Sequence, residues 1–267
     1  MSALTVLKRL PRRSSESAVD HYLWSMSAPT ASAADQLETV RFMVAQATQR
    51  LLGDTITVSD EDWRRPSRLP NWTRAHVATH LARQADAIRR LTEWARTGER
   101  RDMYSSGDQR ESEIQAGAGR TGLELQVDLD TSAGRLGEAF DALHEADTWD
   151  AVVEMRGGLR VPARLLPLAR LLEVIIHHVD LDIGFEVAHI DQQMAEWLLE
   201  WCALRLRDRE DFPRLVLTSE SGFTISVGSS GDPRHITGNS SNLLGWLTNR
   251  VDGSAVTGGH ELQLPAF

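Results

Sequence analysis

Apolar positions recur with helical spacing along most of this chain. Between residues 34 and 52, Leu37, Val40, Val44, Ala47 and Leu51 fall on one stripe, and Gly53 supplies a stop. A polar, proline-bearing connection follows, DTITVSDEDWRRPSRLPNW. The spacing then predicts a second helix from about Thr73 to Thr97. Its stripe is Val77, Leu81, Ala85, Ile88, Leu91 and Ala95, with Gly98 just past the end. A weaker pattern of Leu125, Leu136, Phe140 and Leu143 predicts a third helix over 122–145. Residues 151–162, AVVEMRGGLRVP, read as a short hairpin turning on Gly157 and Gly158. A fourth helix over about 166–184 and a fifth over 191–208, capped by Asp191, complete this part.

The pattern changes after Asp211. RLVLTSESGFTISVG alternates as two strands around a Ser-Gly turn, SSNLLGWLTNR reads as a short capped helix, and HELQLPAF as a terminal strand. The expected class is therefore α+β: a bundle of four to five helices over 34–210, then a small α+β module over 211–267. Residues 1–33 carry no such periodicity. They open with Lys8, Arg9, Arg12 and Arg13 and lack the apolar core of about 7–15 residues that a signal peptide needs. They read as a flexible extension or as sequence ahead of a start at Met26, with targeting or partner binding as a further reading.

Charge narrows the partners. A net charge of −9 argues against nucleic acid or an anionic membrane surface, and no apolar run approaches the length of a membrane span. The single cysteine, Cys202, excludes an intrachain disulfide and suits a reducing, cytoplasmic compartment. It lies in the apolar run EWLLEWCALRL and reads as a core residue. The tryptophans Trp72, Trp94, Trp197 and Trp201 read the same way, while Arg74, Arg83 and Tyr104 are candidates to line a pocket.

The chemistry concentrates in LLEVIIHHVDLDIGF, residues 171–185. A helix apolar on nearly every side is buried, yet this one carries Glu173, His177, His178, Asp180 and Asp182. Glu173 and His177, four residues apart, share a helix face about 40° wide, and Asp180 continues it. An exposed pair at that spacing would be an ordinary surface ion pair. A buried one needs a partner. The second helix offers His76 and His80, again four apart. Two imidazoles and a carboxylate make a zinc set with one position open, and Asp180 or Asp182 could orient an imidazole from behind. A site closed by a fourth protein ligand, such as His76, would instead mark a metal-stabilised, non-enzymatic binding module.

LPNWTRAHVATHLARQADA, WARTGE, VPARLLPLARLLEVIIHHVDL and GWLTNRVDG, taken in order, resemble the mycothiol-dependent maleylpyruvate isomerase family. The resemblance runs from about residue 35 to the end. It implies a DinB-like bundle followed by a small C-terminal α/β domain. It also implies His80, Glu173 and His177 as ligands of a divalent metal, zinc in the family's usual form, with His76 and His178 as bystanders. Arg250, in WLTNRVDG, is implied as the active-site arginine that holds a substrate carboxylate; its plain reading is a basic residue near a helix C-terminus. The implied reaction converts maleylpyruvate to fumarylpyruvate. The thiolate of mycothiol, held by the metal, adds to the double bond, allows rotation and leaves. A second reading keeps metal and mycothiol but makes the protein an S-transferase acting on another electrophile. The expected partners are small molecules, mycothiol among them, and a monomer is compatible with this reading.

Overall fold

The computed structural model describes residues 32–267; the reading of residues 1–31 as an extension lies outside the described residues. Ser32 opens α1 (Ala33–Thr55) through a reciprocal capping box with Asp35. A single turn, α2 (Asp60–Trp63), buries Trp63 in the connection that follows. Thr73 caps α3 (Arg74–Thr97), which ends at left-handed Gly98, φ 77°. Next come α4 (Gly107–Gly117) and α5 (Gly122–Ala146), then the hairpin of β1 (Val152–Glu154) and β2 (Arg160–Pro162). The helix holding the charged apolar segment is α6 (Leu166–Asp180), with Pro167 in its first turn.

α1, α3, α5 and α6 form the bundle: α3 packs on α5 and α6, and α1 on α6 and α5. In α6 every residue from Leu171 to Asp180 is buried except Glu173 and His177. That burial, worth about 1.5–3 kcal/mol for each large aliphatic side chain, fixes the helix's rotation. It also turns the Glu–His face toward a cavity between elements.

α7 (Gln192–Leu206) links the bundle to the rest, packing on α6, on β4 (Thr224–Val227) and on α8 (Ser240–Leu247). The sheet has the order β4, β3 (Pro213–Ser219), β5 (Ser230–Gly238), with β4 antiparallel and β5 parallel to the central strand. The chain must therefore pass under the start of β3 between β4 and β5. Gly228 makes that crossing with φ 70°, where a Cβ would lie 2.2 Å from the Pro213 carbonyl oxygen. Apolar side chains of the bundle and of the C-terminal sheet form one continuous buried cluster.

The α+β class stands, and the predicted helices and first two C-terminal strands are present. Two local expectations change, and three elements appear that were not expected. The fourth helix stops at Asp180, not 184, because Asp182 (φ 55°) and Gly184 (φ 103°) take left-handed conformations. HELQLPAF is not a strand: the Pro265 and Ala266 carbonyls accept from Asn249 and Arg209 side chains, not from a neighbouring strand. Finally, α4, the single turn α2 and strand β5 lack a periodicity that would announce them; nearly all of β5 is exposed.

Candidate metal centre and its cavity

Two helices bring three donor atoms together. His80 Nε2, from the middle of α3, lies 3.0 Å from Glu173 Oε2 and 3.0 Å from His177 Nε2 on α6. The His177 Nε2 to Glu173 Oε2 distance is 3.3 Å. Four ligands at about 2.0–2.1 Å in tetrahedral array stand roughly 3.3–3.4 Å from one another. The observed triangle is close to that spacing, and its donors are those a borderline divalent ion selects. Among the described residues, His80, Glu173 and His177 are the group of His, Cys, Asp or Glu side chains able to hold a metal ion, and no fourth such residue joins them.

His76 is used elsewhere. Its Nδ1 accepts from the Thr73 backbone N–H at 3.2 Å, completing the N-terminal box of α3, and its Nε2 lies 3.1 Å from Gln115 Oε1. His178 points to the opposite side of α6, stacked on Phe185 at 4.2 Å, with Nε2 3.1 Å from an Asp54 carboxylate oxygen.

Behind His177 stands a second layer. His177 Nδ1 lies 2.8 Å from Asp180 Oδ2, which fixes the ring with Nε2 facing the triangle. Asp180 is 1% exposed, and Arg250 grips it side-on, Nε donating to Oδ1 at 3.0 Å and Nη2 to Oδ2 at 2.5 Å. Arg250 reaches back because Asn249 turns left-handed (φ 61°) at the end of α8, closing the Arg250 N–H onto the Gly245 carbonyl at 2.7 Å. Of the two aspartates considered, Asp180 orients the imidazole; Asp182 is turned away and binds Arg68.

These contacts set the charges. Burial alone would raise the Glu173 pKa, but hydrogen bonds from His177 and His80 outweigh it and hold the carboxyl well below its ordinary value. Burial, assisted by the neighbouring His177, pushes His80 down to about 4. Burial also works against a charged His177, yet the carboxylates of Asp180 and Glu173 prevail and raise it. Burial opposes ionisation of Asp180 as well, and the bonds from His177 and Arg250 keep it low.

The triangle forms the floor of a cavity of about 550 Å³ between bundle and C-terminal region. Trp72, Tyr104, Met103 and Met155 contribute to one wall, and Trp201, Arg205, Arg209, Arg250 and Phe267 to another. Among the described residues Glu173 is its single acidic side chain, against five arginines: Arg110, Arg156, Arg205, Arg209 and Arg250. Arg209 is paired with Asp211, and Arg250 with Asp180. Of the pocket candidates read from sequence, Tyr104 lines the cavity. Arg74 instead binds the Asp182 carbonyl and Arg83 bridges to Asp128 and Asp86. Cys202 is buried and outside the cavity lining. Arg110, Arg156 and Arg205 went unnoticed in the sequence because no spacing relates them to the triangle.

The model of the mycothiol maleylpyruvate isomerase N-terminal domain family matches residues 44–182, which include all three donors and leave out Arg250. No curated protein matches the chain. Among solved structures, the crystal structure of the mycothiol-dependent maleylpyruvate isomerase superposes with a TM-score of 0.77 at 26% identity. It covers 86% of this chain and 97% of that one. The crystal structure of a histidine-to-alanine mutant of the same enzyme gives a TM-score of 0.78 with the same identity and coverage.

Proposed function

The chain belongs to the mycothiol maleylpyruvate isomerase N-terminal domain family, and from that premise we propose that it is a metal- and mycothiol-dependent enzyme that isomerises maleylpyruvate to fumarylpyruvate. The observation that carries this reading is an open three-donor triangle at the floor of a cavity whose other charged side chains, among the described residues, are all arginines. His80, Glu173 and His177 would hold a divalent ion, zinc by the chemistry of the set. When bound, such an ion lowers the pKa of an incoming thiol, so that sulfur is presented as thiolate at neutral pH.

The chain's own residues do the rest. His177 is held in its ligating orientation by Asp180, and Asp180 by Arg250. Arg250 thus acts chiefly through Asp180, while its Nη1 donates to the Thr248 carbonyl and the side chain lines the cavity. A dianionic keto acid entering the cavity meets Arg110, Arg156 and Arg205, which form no ion pair among the described residues. Trp72, Met103, Met155 and Phe267 exclude water around the reacting double bond.

A second reading, S-transfer from mycothiol to a bulkier electrophile, is favoured by that same apolar wall of methionine, tryptophan and phenylalanine, which is larger than a small keto acid needs. Following maleylpyruvate absorbance with zinc-loaded protein, with and without mycothiol, separates the two. Loss of absorbance only when both are present supports the isomerase. Stoichiometric metal without turnover sinks it and leaves the transferase. The bundle over 34–210 and the module over 211–267 are proposed as the two units between which this cavity opens.

A further inference from the structure

The two histidines of the triangle are prepared differently. His177 Nδ1 faces the Asp180 carboxylate, an acceptor, so the proton of its neutral ring sits on Nδ1 and Nε2 is the atom left for a metal. His80 Nδ1 faces the opposite kind of group. Arg110, from the first turns of α4, places Nη2 2.9 Å from it. A guanidinium has five donors and no acceptor. This contact therefore requires the lone pair on Nδ1, which puts the proton of the neutral ring on Nε2, the atom 3.0 Å from Glu173 Oε2. A metal ion on Nε2 requires the other tautomer, with the proton on Nδ1, and that proton would meet an N–H of Arg110. One histidine is preset for a metal and the other is preset against it.

We propose that Arg110 has two positions, exclusive of each other. In the metal-free protein it is docked on His80 Nδ1. With a metal on Nε2 it is expelled from that contact and turns into the cavity, where it becomes a binding group for an anionic substrate. The ring carries one proton in both states; only its place changes. Arg110 is suited to such a swing. It makes no ion pair among the described residues, its guanidinium already lies over the Tyr104 ring at 5.7 Å, and it lines the cavity beside Arg156. The consequence is a coupling: metal occupancy releases the arginine that the substrate anion needs, so metal and anion bind with positive cooperativity. The inference rests on the proposed ligand role of His80.

The test has three parts. Long-range ¹H–¹⁵N spectra of the metal-free protein should show His80 Nε2 protonated and Nδ1 not, with the order reversed on adding zinc; the His80 signals are identified by their absence in His80→Gln. A protonated Nδ1 in the metal-free wild type overturns the proposal. By chelator competition, Arg110→Met should bind zinc about 10-fold or more tightly, the effect of one lost charge-assisted contact. Arg156→Met removes the same charge from the same cavity without touching His80 and should change affinity by less than about 3-fold. Equal shifts in the two variants reduce the effect to bulk charge and overturn it. Maleate, a cis dicarboxylate, is the anion probe. Arg110→Met should weaken maleate binding about 10-fold in the zinc-loaded protein and leave it unchanged in the metal-free one. The same loss in both states refutes the release. Retention of stoichiometric zinc by His80→Ala would instead overturn the ligand assignment on which the inference stands.

Discussion

Replacing Asp180 with asparagine keeps its shape and removes its charge, and so isolates what that charge does. The carboxylate accepts three bonds, from Arg250 Nε and Nη2 and from His177 Nδ1, and is 1% exposed. An amide has one acceptor oxygen. Its NH2 must face either Nε of Arg250, in the place of Oδ1, or both Nη2 of Arg250 and Nδ1 of His177, in the place of Oδ2, setting donor against donor. Each charge-assisted bond is worth about 1.5–3 kcal/mol, and breaking a buried pair costs about 3–5. Because 13% of the Arg250 side chain remains exposed, water relieves part of this, and about 2–3 kcal/mol is the expected loss. In a protein of this size that lowers Tm by roughly 5–10 °C. Loss of the charge behind His177 should weaken metal binding about 10-fold or more.

The pH dependence follows from the direction of the Asp180 shift. Its folded pKa lies below the ordinary 3.8, so its contribution is complete above about pH 5 and is lost as pH falls through the lower folded value. The Tm gap between wild type and Asp180→Asn in the metal-free protein should accordingly close in strong acid, and should also narrow above about pH 6.5 as His177, whose raised pKa rests partly on this carboxylate, loses its proton. Thermal melts followed by circular dichroism and chelator competition measure both effects. In a double-mutant cycle with Arg250→Ala, the losses in metal affinity should be strongly non-additive, since both act through one carboxylate. A variant within 1 °C and threefold of wild type, by the scales just given, or a cycle that is simply additive, would refute the chain from Arg250 to Asp180 to His177.

Three further outcomes are expected. His80→Ala should lose stoichiometric metal while keeping its helical circular dichroism, since the ring is one of three donors and the bundle core is untouched; retained metal contradicts this. Gly117→Ala would place a Cβ 2.3 Å from the Thr79 methyl where α4 meets α3. It should destabilise by about 1–3 kcal/mol, with Thr79→Ala in the same chain restoring most of the loss; a neutral Gly117→Ala would show that α4 shifts freely. Cys202, whose thiol burial pushes up to about 12, should resist iodoacetamide at pH 8 in the native protein and take one label after unfolding. Labelling of the native form would mean that α7 opens.

How much of the site could be read in advance depended on whether it was local. Glu173 and His177 were legible because they share a helix face and interrupt an otherwise apolar stripe. The choice between His76 and His80 was not settled by spacing and came from resemblance. A local signal did exist: His76 stands three residues after Thr73, at the capping-box position usually held by glutamate or glutamine, and its Nδ1 serves that role. Arg250 came from resemblance as well, and its grip on Asp180 spans 70 positions in sequence. Arg110 was invisible. It sits on a helix with only Ile114 and Gly117 buried, too little to mark a stripe, and its partner is 30 positions away. The last residues misled because alternation in HELQLPAF says nothing about which partners their carbonyls find; side chains from Asn249 and Arg209 reached them first.

The rotation of α6 carries one more consequence. Consecutive residues His177 and His178 serve opposite sides of the helix, one in the triangle and the other stacked on Phe185, while the positions around them are sealed in the core. The helix has nowhere to turn, and the seat for an ion is assembled before any ion arrives. In small zinc modules folding and loading are one event. Here they are separate, so an empty chain should persist as a folded molecule, take up its ion late, and exchange one divalent species for another without unfolding. Which ion it carries would then follow the supply around it as much as the preference of its ligands.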